Sequence, residues 1–266
     1  MTNRIQDLFG LAGKTAVVTG GSRGIGEMIA EGFVDAGASV ILTARKAEEL
    51  QATAERLNDK AADGVTVTAV PGDLSTVDGV RAFAAVVTEH FPSLDILVNN
   101  AGASWGAPLD DYPEDGWNKL MDVNVRGVFF LTQELLPNLR AAATADAPGR
   151  VINIGSVDGL RVPSLETFAY STSKAAVHQL TRHLASRLAP EHILVNAIAP
   201  GPFESKMMAF ALQDERMRAA VAADVPLGRI GVPDDMAGAT IFLSSRAGSY
   251  LTGAVIPVGG GVWSAQ

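Results

Sequence analysis

The sequence predicts an α/β fold, a single domain in which a doubly wound parallel sheet of about seven strands carries helices on both faces. Short apolar or β-branched runs alternate with helical segments along the whole chain, which is the pattern that βαβ units produce. The helices that connect parallel strands cross over the sheet and cover both of its faces. With 266 residues and 47% hydrophobic content, the chain can bury such a core, and neither internal repeats nor linkers divide it.

The first strand–helix unit carries a glycine-rich loop. Residues 15–19 (TAVVT) predict a strand, and a helical pattern follows Gly26. Backbone N–H groups and a helix N-terminus in such a loop hold a pyrophosphate, because glycine lets the ligand approach closely. An ordinary tight βα turn is the alternative. A dinucleotide site here assigns cofactor contacts to Gly20, Ser22, Arg23, Gly24, Ile25 and Gly26.

The second predicted strand, residues 39–44, ends without a carboxylate and is followed by Arg45 and Lys46. An acidic residue at this position binds the ribose hydroxyls of NAD(H), whereas a basic residue attracts the 2′-phosphate of NADP(H). Arg45, together with Arg23, therefore predicts NADP(H). The alternative is a pair of ordinary surface charges at the start of a helix.

Two further strand ends supply polar groups to the same edge of the sheet. Asp73 follows the third strand, residues 66–70, and is expected to cap the next helix, to bind the adenine edge, or both. The fourth strand, residues 94–98, runs into Asn99, Asn100, Ala101 and Gly102. Since strand ends face the ligand crevice in an open parallel sheet, both amides are expected to meet the cofactor, with an Asx turn as the alternative.

A polar residue interrupts the apolar helix predicted over residues 117–139. Asn124 lies among valine, methionine and phenylalanine residues, and a buried amide requires a hydrogen-bond partner. A backbone carbonyl or a structural water satisfies it, and either one relays protons. Ser156 ends the next strand, residues 150–156, without a histidine nearby in sequence. A hydrogen bond to a substrate carbonyl is therefore expected of Ser156, and not a nucleophilic role.

Tyr170 and Lys174 are four residues apart in a segment with a helical pattern, so both polar tips are expected to reach one point. An ammonium beside a phenol favours the phenolate, and the pair predicts a proton donor and acceptor with a lowered tyrosine pKa. Residues 202–231 follow a Pro200-Gly201 break and contain several methionines. This segment is expected to be a substrate lid or, alternatively, a helix packed on the core.

The composition excludes several classes of function. A net charge of -8 disfavours a nucleic-acid partner, because phosphate backbones require a basic surface. The chain has no cysteine and only four scattered histidines, so neither a disulfide nor a metal site is predicted. It contains no apolar run of membrane-spanning length and no export signal, which predicts a cytoplasmic protein with no membrane partner.

The chain resembles the short-chain dehydrogenase/reductase family over nearly its entire length. The resemblance lies in the order and spacing of TGGSRGIG (19–26), NNAG (99–102), Asn124, Ser156, YSTSK (170–174) and Pro200-Gly201. The resemblance implies a Rossmann-type fold, a homotetramer and a catalytic tetrad of Asn124, Ser156, Tyr170 and Lys174. It also implies NADP(H) contacts, beyond the glycine loop, Arg45 and Asp73, from Leu74, Asn100, Ala101, Gly102, Val123, Tyr170, Lys174, Pro200, Gly201, Phe203 and Ser205.

More narrowly, stretches such as NNAGASWGAPLDDYP and the ending LTGAVIPVGGG resemble β-ketoacyl reductases, in particular the rhamnolipid-biosynthesis type, although Gly259 stands where many relatives carry an acid. The resemblance implies reduction of a 3-oxoacyl thioester, delivered on acyl carrier protein or CoA, with Ser156, Tyr170, Trp105 and Met207 at the substrate. An alcohol, sugar or steroid dehydrogenase is the alternative enzyme. An idle NADP(H)-binding sensor is the alternative of another class.

Overall fold

The computed structural model describes residues 4–205, 208 and 214–264. Within these residues, seven strands form one parallel sheet with the order β3-β2-β1-β4-β5-β6-β7. The strands are β1 (Thr15–Thr19), β2 (Ser39–Thr43), β3 (Val67–Ala69), β4 (Ile96–Asn99), β5 (Gly149–Ile154), β6 (Ile193–Pro200) and β7 (Val255–Val258). The prediction of a doubly wound parallel sheet of about seven strands is confirmed.

Helices connect the strands, except for α1, which precedes β1. They are α1 (Arg4–Phe9), α2 (Gly24–Asp35), α3 (Ala47–Asn58), α4 (Val77–His90), α5 (Glu114–Met121), α6 (Gly127–Glu134), α7 (Leu136–Ala142), α8 (Phe168–Leu188), α9 (Glu215–Ala223) and α10 (Pro233–Ser244). Their starts follow local chemistry. The Thr76 hydroxyl accepts from the Gly79 N–H at 3.1 Å to cap α4, and α10 begins on a proline, whose missing N–H has no partner to lose at that position.

Successive residues of one strand pack into two different cores. On β1, Val18 belongs to the cluster formed with α2, α3 and α10, whereas Val17 belongs to the cluster formed with α4, α6, α7 and α8. Side chains alternate across a strand, so a strand that is apolar at both positions requires cover on both faces. Phe33 of α2, which is fully buried, is among the largest side chains of the first core.

The helix predicted over residues 117–139 is broken. Residues Asp122–Arg126 form a π-helical turn, with α5 before it and α6 after it, and Leu135 separates α6 from α7. A π turn inserts one residue into the helical register and commonly marks a functional site. This turn contains Asn124.

Helix α3 ends at Asn58, although the helical pattern of the sequence continues to Ala62. The Asn58 side chain donates to the Val67 carbonyl at 2.7 Å and accepts from the Val67 N–H at 2.8 Å. Asn58 thus fixes the start of edge strand β3, and the chain must leave the helix to reach it.

All seven strands of the parallel sheet end at the same edge, and five of them lead directly into residues that line the candidate site. The chain continues from β1 into Gly20, from β2 into Ala44, from β4 into Asn100, from β5 into Gly155 and from β6 into Gly201. The sheet order reverses between β1 and β4, and ligands of open α/β sheets bind in the crevice at such a point. Within the described residues, none of the helices combines the length and apolar content needed to cross a bilayer.

Candidate active site

The glycine loop joins β1 to α2 through two left-handed glycines, Gly20 with φ +64° and Gly24 with φ +56°. This conformation favours glycine because it has no Cβ. A Cβ on Gly26 would lie 2.2 Å from the Gly20 carbonyl oxygen, so the first turn of α2 packs directly on the loop. The N-terminus of α2 therefore opens onto the crevice, where a helix offers unpaired N–H groups to an anion.

Asn100 fixes the glycine loop. Its amide donates to the Thr19 carbonyl at 2.7 Å and to the Gly20 carbonyl at 3.2 Å, and its backbone N–H donates to the Thr19 hydroxyl at 2.9 Å. Asn100 also lines the crevice, as predicted.

The expectation that Asn99 meets the cofactor is wrong. Asn99 is buried, and its amide donates to the Asn153 side chain at 2.9 Å and to the Thr132 hydroxyl at 3.1 Å. Adjacent residues at a strand end point to opposite sides, so one of the two amides faces the core.

The two basic residues predicted for a 2′-phosphate both lie on the crevice, with Arg45 at the end of β2 and Arg23 in the glycine loop. Arg23 also donates to the Glu49 carboxylate at 2.8 and 3.0 Å. Asp73 accepts from the Ser75 N–H at 3.0 Å, and this bond, with a smaller contribution from the Arg45 charge, lowers the pKa of the Asp73 carboxyl. The cap of α4 is Thr76, so Asp73 forms a turn before the helix and does not cap it.

Helix α8 places Tyr170 and Lys174 one turn apart beside the end of β5. The Lys174 ammonium is buried and donates to the Ile154 carbonyl at 2.8 Å. It lies 5.7 Å from the centroid of the Tyr170 ring. Burial lowers the pKa of Lys174 to about 8.

The predicted lowering of the tyrosine pKa is wrong. Burial raises the pKa of Tyr170 to about 12, opposed by a hydrogen bond from Ser156 and reinforced by the Asp158 carboxylate. Desolvation penalises the phenolate, and the ammonium of Lys174 is directed at the Ile154 carbonyl. At neutral pH Tyr170 is therefore a protonated phenol beside a hydroxyl.

Asn124 lies behind the crevice wall, and both polar atoms of its side chain have hydrogen-bond partners. The amide accepts from the Ala103 N–H at 2.8 Å, and donates to the Ala103 carbonyl at 3.0 Å and to the Ser173 hydroxyl at 2.9 Å. The predicted backbone-carbonyl partner is confirmed. A Cβ on Gly102 would lie 3.2 Å from the Asn124 oxygen and 3.5 Å from the Lys174 nitrogen. Only a residue without a side chain leaves this space open to both groups.

One cavity of about 1260 Å³ brings these strand ends together. Its lining includes every predicted cofactor contact, together with Ser156 and Trp105 of the predicted substrate set: Gly20, Ser22, Arg23, Gly24, Ile25, Gly26, Arg45, Asp73, Leu74, Asn100, Ala101, Gly102, Trp105, Val123, Ser156, Tyr170, Lys174, Pro200, Gly201, Phe203 and Ser205. Met207 lies outside the described residues. No cluster of metal-binding side chains occurs in the part of the chain that the structure describes.

An ion pair in the cavity was not foreseen. The Asp158 carboxylate lies 3.5 Å from the Arg161 guanidinium, which also donates to the Val262 carbonyl at 3.2 Å. Desolvation raises the pKa of Asp158, and the Arg161 charge opposes that rise. The only sequence signal is the spacing of three residues in the turn after Ser156.

A parallel sheet whose strand ends combine a glycine loop, basic residues after β2 and a Tyr–Lys helix defines a dinucleotide-dependent oxidoreductase. The chain belongs to the short-chain dehydrogenase/reductase family. Residues 20–263 match the family model described as "Enoyl-(Acyl carrier protein) reductase".

Two curated relatives cover nearly the whole chain. The rhamnolipids biosynthesis 3-oxoacyl-[acyl-carrier-protein] reductase of Pseudomonas aeruginosa is 51% identical over 95% of this chain and 97% of its own length. The gluconate 5-dehydrogenase of Gluconobacter oxydans is 35% identical over 96% of this chain and 97% of its own length. The predicted resemblance to the rhamnolipid-biosynthesis type is confirmed.

Two solved structures also match this chain over nearly its whole length. The Pseudomonas aeruginosa RhlG/NADP active-site complex matches with a TM-score of 0.93 and 50% identity, covering 97% of this chain and 99% of that chain. A gluconate 5-dehydrogenase from Burkholderia cenocepacia, in complex with NADP and tartrate, matches with a TM-score of 0.88 and 34% identity, covering 98% of this chain and 100% of that chain.

Proposed function

We propose that the protein is an NADP(H)-dependent reductase that converts a ketone into a secondary alcohol, and that its substrate is a 3-oxoacyl thioester. The proposal rests on one observation. A single cavity joins the glycine loop and Arg45 at one end to Ser156 and Tyr170 at the other. The relatives named above support the same class of cofactor and substrate.

The residues of the cavity fit a phosphorylated dinucleotide. Gly20 and Gly24 leave the pyrophosphate position free of side chains, and a Cβ on Gly20 would lie 2.9 Å from the Asn100 amide. Arg45 is exposed at the end of β2 and forms no ion pair among the described residues, so its guanidinium is available to a 2′-phosphate. The bound nucleotide would supply the hydride.

The protein's own groups hold and protonate the substrate oxygen. Ser156 and Tyr170 donate hydrogen bonds to the carbonyl, and Tyr170 transfers its proton as negative charge develops on that oxygen. A phenol with a raised pKa remains protonated until an alkoxide, which is a stronger base, forms beside it. The Lys174 ammonium then stabilises the phenolate and binds the nicotinamide ribose.

Asn124 acts as a positioning residue in this scheme. It joins the Ala103 backbone to Ser173 on α8, one residue from Lys174, and it borders the space at Gly102 that Lys174 also borders. A water held there would carry protons between Lys174 and solvent. The proposed tetrad is therefore Asn124, Ser156, Tyr170 and Lys174.

The Asp158–Arg161 pair favours a second candidate, a dehydrogenase of a sugar or sugar acid. An ion pair at the substrate end of the cavity suits hydroxyl or carboxylate groups better than a long acyl chain. Trp105 and Val262 belong to the apolar part of the same lining, which favours an acyl chain.

A substrate panel tests the proposal. NADPH oxidation is followed with acetoacetyl-CoA, an acetoacetyl carrier protein, 5-ketogluconate and simple ketones, each with wild type and Tyr170→Phe. Thioester turnover that is abolished in the variant supports the proposal. A preference for 5-ketogluconate would show that the second candidate, a dehydrogenase of a sugar or sugar acid, is correct. If the protein binds NADPH but turns over no ketone, it is a sensor.

We further propose a cytoplasmic homotetramer built from one domain, residues 1–266, with a substrate lid at about residues 202–231. Supporting the lid, Phe203 pairs with Gly231 and Leu227 donates to the Gly260 carbonyl at 3.1 Å, so both flanks of the segment are attached to the sheet end. Sedimentation velocity tests the assembly, and a species other than four chains contradicts it.

A further inference from the structure

Glu49, in the first turn of α3, contacts the glycine loop at two residues. Its carboxylate accepts from the Arg23 guanidinium at 2.8 and 3.0 Å and from the Ser22 hydroxyl at 3.3 Å. The Lys46 ammonium lies 3.9 Å away on the same helix turn. Arg23 and Ser22 line the cavity. Glu49 does not appear in that lining and contacts the two loop residues from the α3 side.

A second contact from α3 supports the same position of the loop. Thr53, one turn after Glu49, is buried and donates to the Ser22 carbonyl at 2.9 Å and to the Glu49 carbonyl at 3.0 Å. Residues four apart share a helix face, so this face of α3 holds the loop through both a side chain and a backbone group.

We infer that Glu49 is a positioning residue that holds Arg23 toward the 2′-phosphate of the nucleotide. A long arginine side chain at the surface samples many rotamers, and a fixed carboxylate selects one of them before the ligand arrives. Arg45 has no such partner within the described residues, so the two arginines differ in how far each is ordered in advance. The inference rests on the proposed NADP(H) cofactor.

Charge alone would have the opposite effect, a weakening of nucleotide binding by Glu49, because a carboxylate near a phosphate repels it. Substitutions that separate contact from charge decide between the two. Glu49→Ala removes both, Glu49→Gln removes the charge but keeps an acceptor for Arg23, and Glu48→Ala removes the same charge from the neighbouring exposed residue.

The experiment is calorimetric titration of each purified variant with 2′,5′-ADP and with 5′-ADP, after thermal melts show that each is folded. We expect Glu49→Ala to bind 2′,5′-ADP about three- to fivefold more weakly than wild type, the effect of losing one exposed ion pair. Binding of 5′-ADP is expected to be unchanged. Glu49→Gln should recover most of the loss, and Glu48→Ala should show none.

A double-mutant cycle gives the closing measurement. In an Arg23→Ala background, Glu49→Ala should cause no further loss of 2′,5′-ADP affinity, since it acts through Arg23. If Glu49→Ala binds 2′,5′-ADP as tightly as wild type or more tightly, the inference about Glu49 is wrong and the cofactor proposal stands. A wild type that binds both nucleotides equally overturns the cofactor proposal and this inference with it.

Discussion

Lys174 and Tyr170 lie one turn apart on the same face of α8, yet the lysine ammonium is hydrogen-bonded to the sheet. Its ammonium donates to the Ile154 carbonyl at 2.8 Å and lies 5.7 Å from the centre of the tyrosine ring. Burial raises the pKa of the phenol to about 12 and lowers that of the amine to about 8. The phenol therefore stays protonated at neutral pH until a stronger base forms beside it, and the amine is the group that changes charge nearby.

Replacing Tyr170 with phenylalanine removes the proposed proton donor and little else, because the ring is retained. We expect kcat for ketone reduction to fall by about 10²- to 10⁴-fold, the usual contribution of a positioned acid. The dissociation constant for NADPH, measured by fluorescence titration, should remain within about twofold of wild type. A variant with nearly normal turnover would remove Tyr170 from the mechanism.

The pH dependence of reduction should follow Lys174. As the pH rises through about 8, Lys174 loses its proton and with it the charge that stabilises the phenolate, whereas Tyr170 stays protonated. We expect kcat/KM for the ketone to decline above this pH, measured at saturating NADPH between about pH 6 and 10. Lys174→Arg keeps its charge throughout and should lose the decline. A wild-type profile that is flat across the range contradicts the assignment.

Removing the guanidinium of Arg45 should weaken NADPH binding and spare NADH. A charge-assisted hydrogen bond to phosphate contributes about 1.5–3 kcal/mol, so Arg45→Ala is expected to lose roughly tenfold or more in NADPH affinity. Asp73 lies within electrostatic reach of Arg45, and its pKa should rise in the variant, which NMR titration would detect. Equal affinity of wild type and variant for NADPH contradicts the 2′-phosphate assignment.

His178 predicts the acid sensitivity of the fold. The imidazole is 2% exposed one turn beyond Lys174, and burial lowers its pKa to about 4. The unfolded chain binds this proton at the ordinary histidine pKa, so the contribution is fully present above that value and is lost as the pH falls toward 4. The loss amounts to about 3 kcal/mol.

Urea unfolding across this pH window measures the effect, with His178→Gln compared to His183→Gln, an exposed histidine on the same helix. The first variant should flatten the pH dependence and the second should leave it unchanged. Equal slopes in wild type and His178→Gln would show that another group is responsible.

The sequence was sufficient for the strands and for the residues of the crevice, because both follow from local patterns. TAVVT predicts β1 with the bounds observed, and the glycine spacing places the loop at its end. The electrostatics of Tyr170 were not predictable in this way. Its pKa depends on how deeply the ring is buried and on the Ser156 hydroxyl and the Asp158 carboxylate beside it, and these are properties of the packed structure.

Contacts between distant segments also escaped prediction. In the sequence, Glu49 is one of several acidic residues at the start of a helix. Its contact with Arg23 depends on how α3 packs against the glycine loop, which the sequence does not show. Asn99 and Asn100 are identical in type, and their opposite orientations follow from the pleat of β4. The Gly259 backbone lies close to Gly201, because a Cβ on Gly259 would lie 3.1 Å from the Gly201 Cα, so the acid that many relatives carry at this position would require the two backbones to move slightly apart.

The π turn at Asp122–Arg126 makes the helix carrying Asn124 sensitive to length as well as to composition. Because the turn accommodates one additional residue, deleting a residue beside Asn124 would restore a regular α-helix and leave α5 and α6 in phase, whereas a deletion within α5 or α6 would rotate the rest of the helix by about 100°. A deletion outside the turn would make Asn124 or the apolar face of α6 point the wrong way, although neither had been substituted. The turn is therefore where this helix is expected to tolerate a change of length, and α5 and α6 are where it is not.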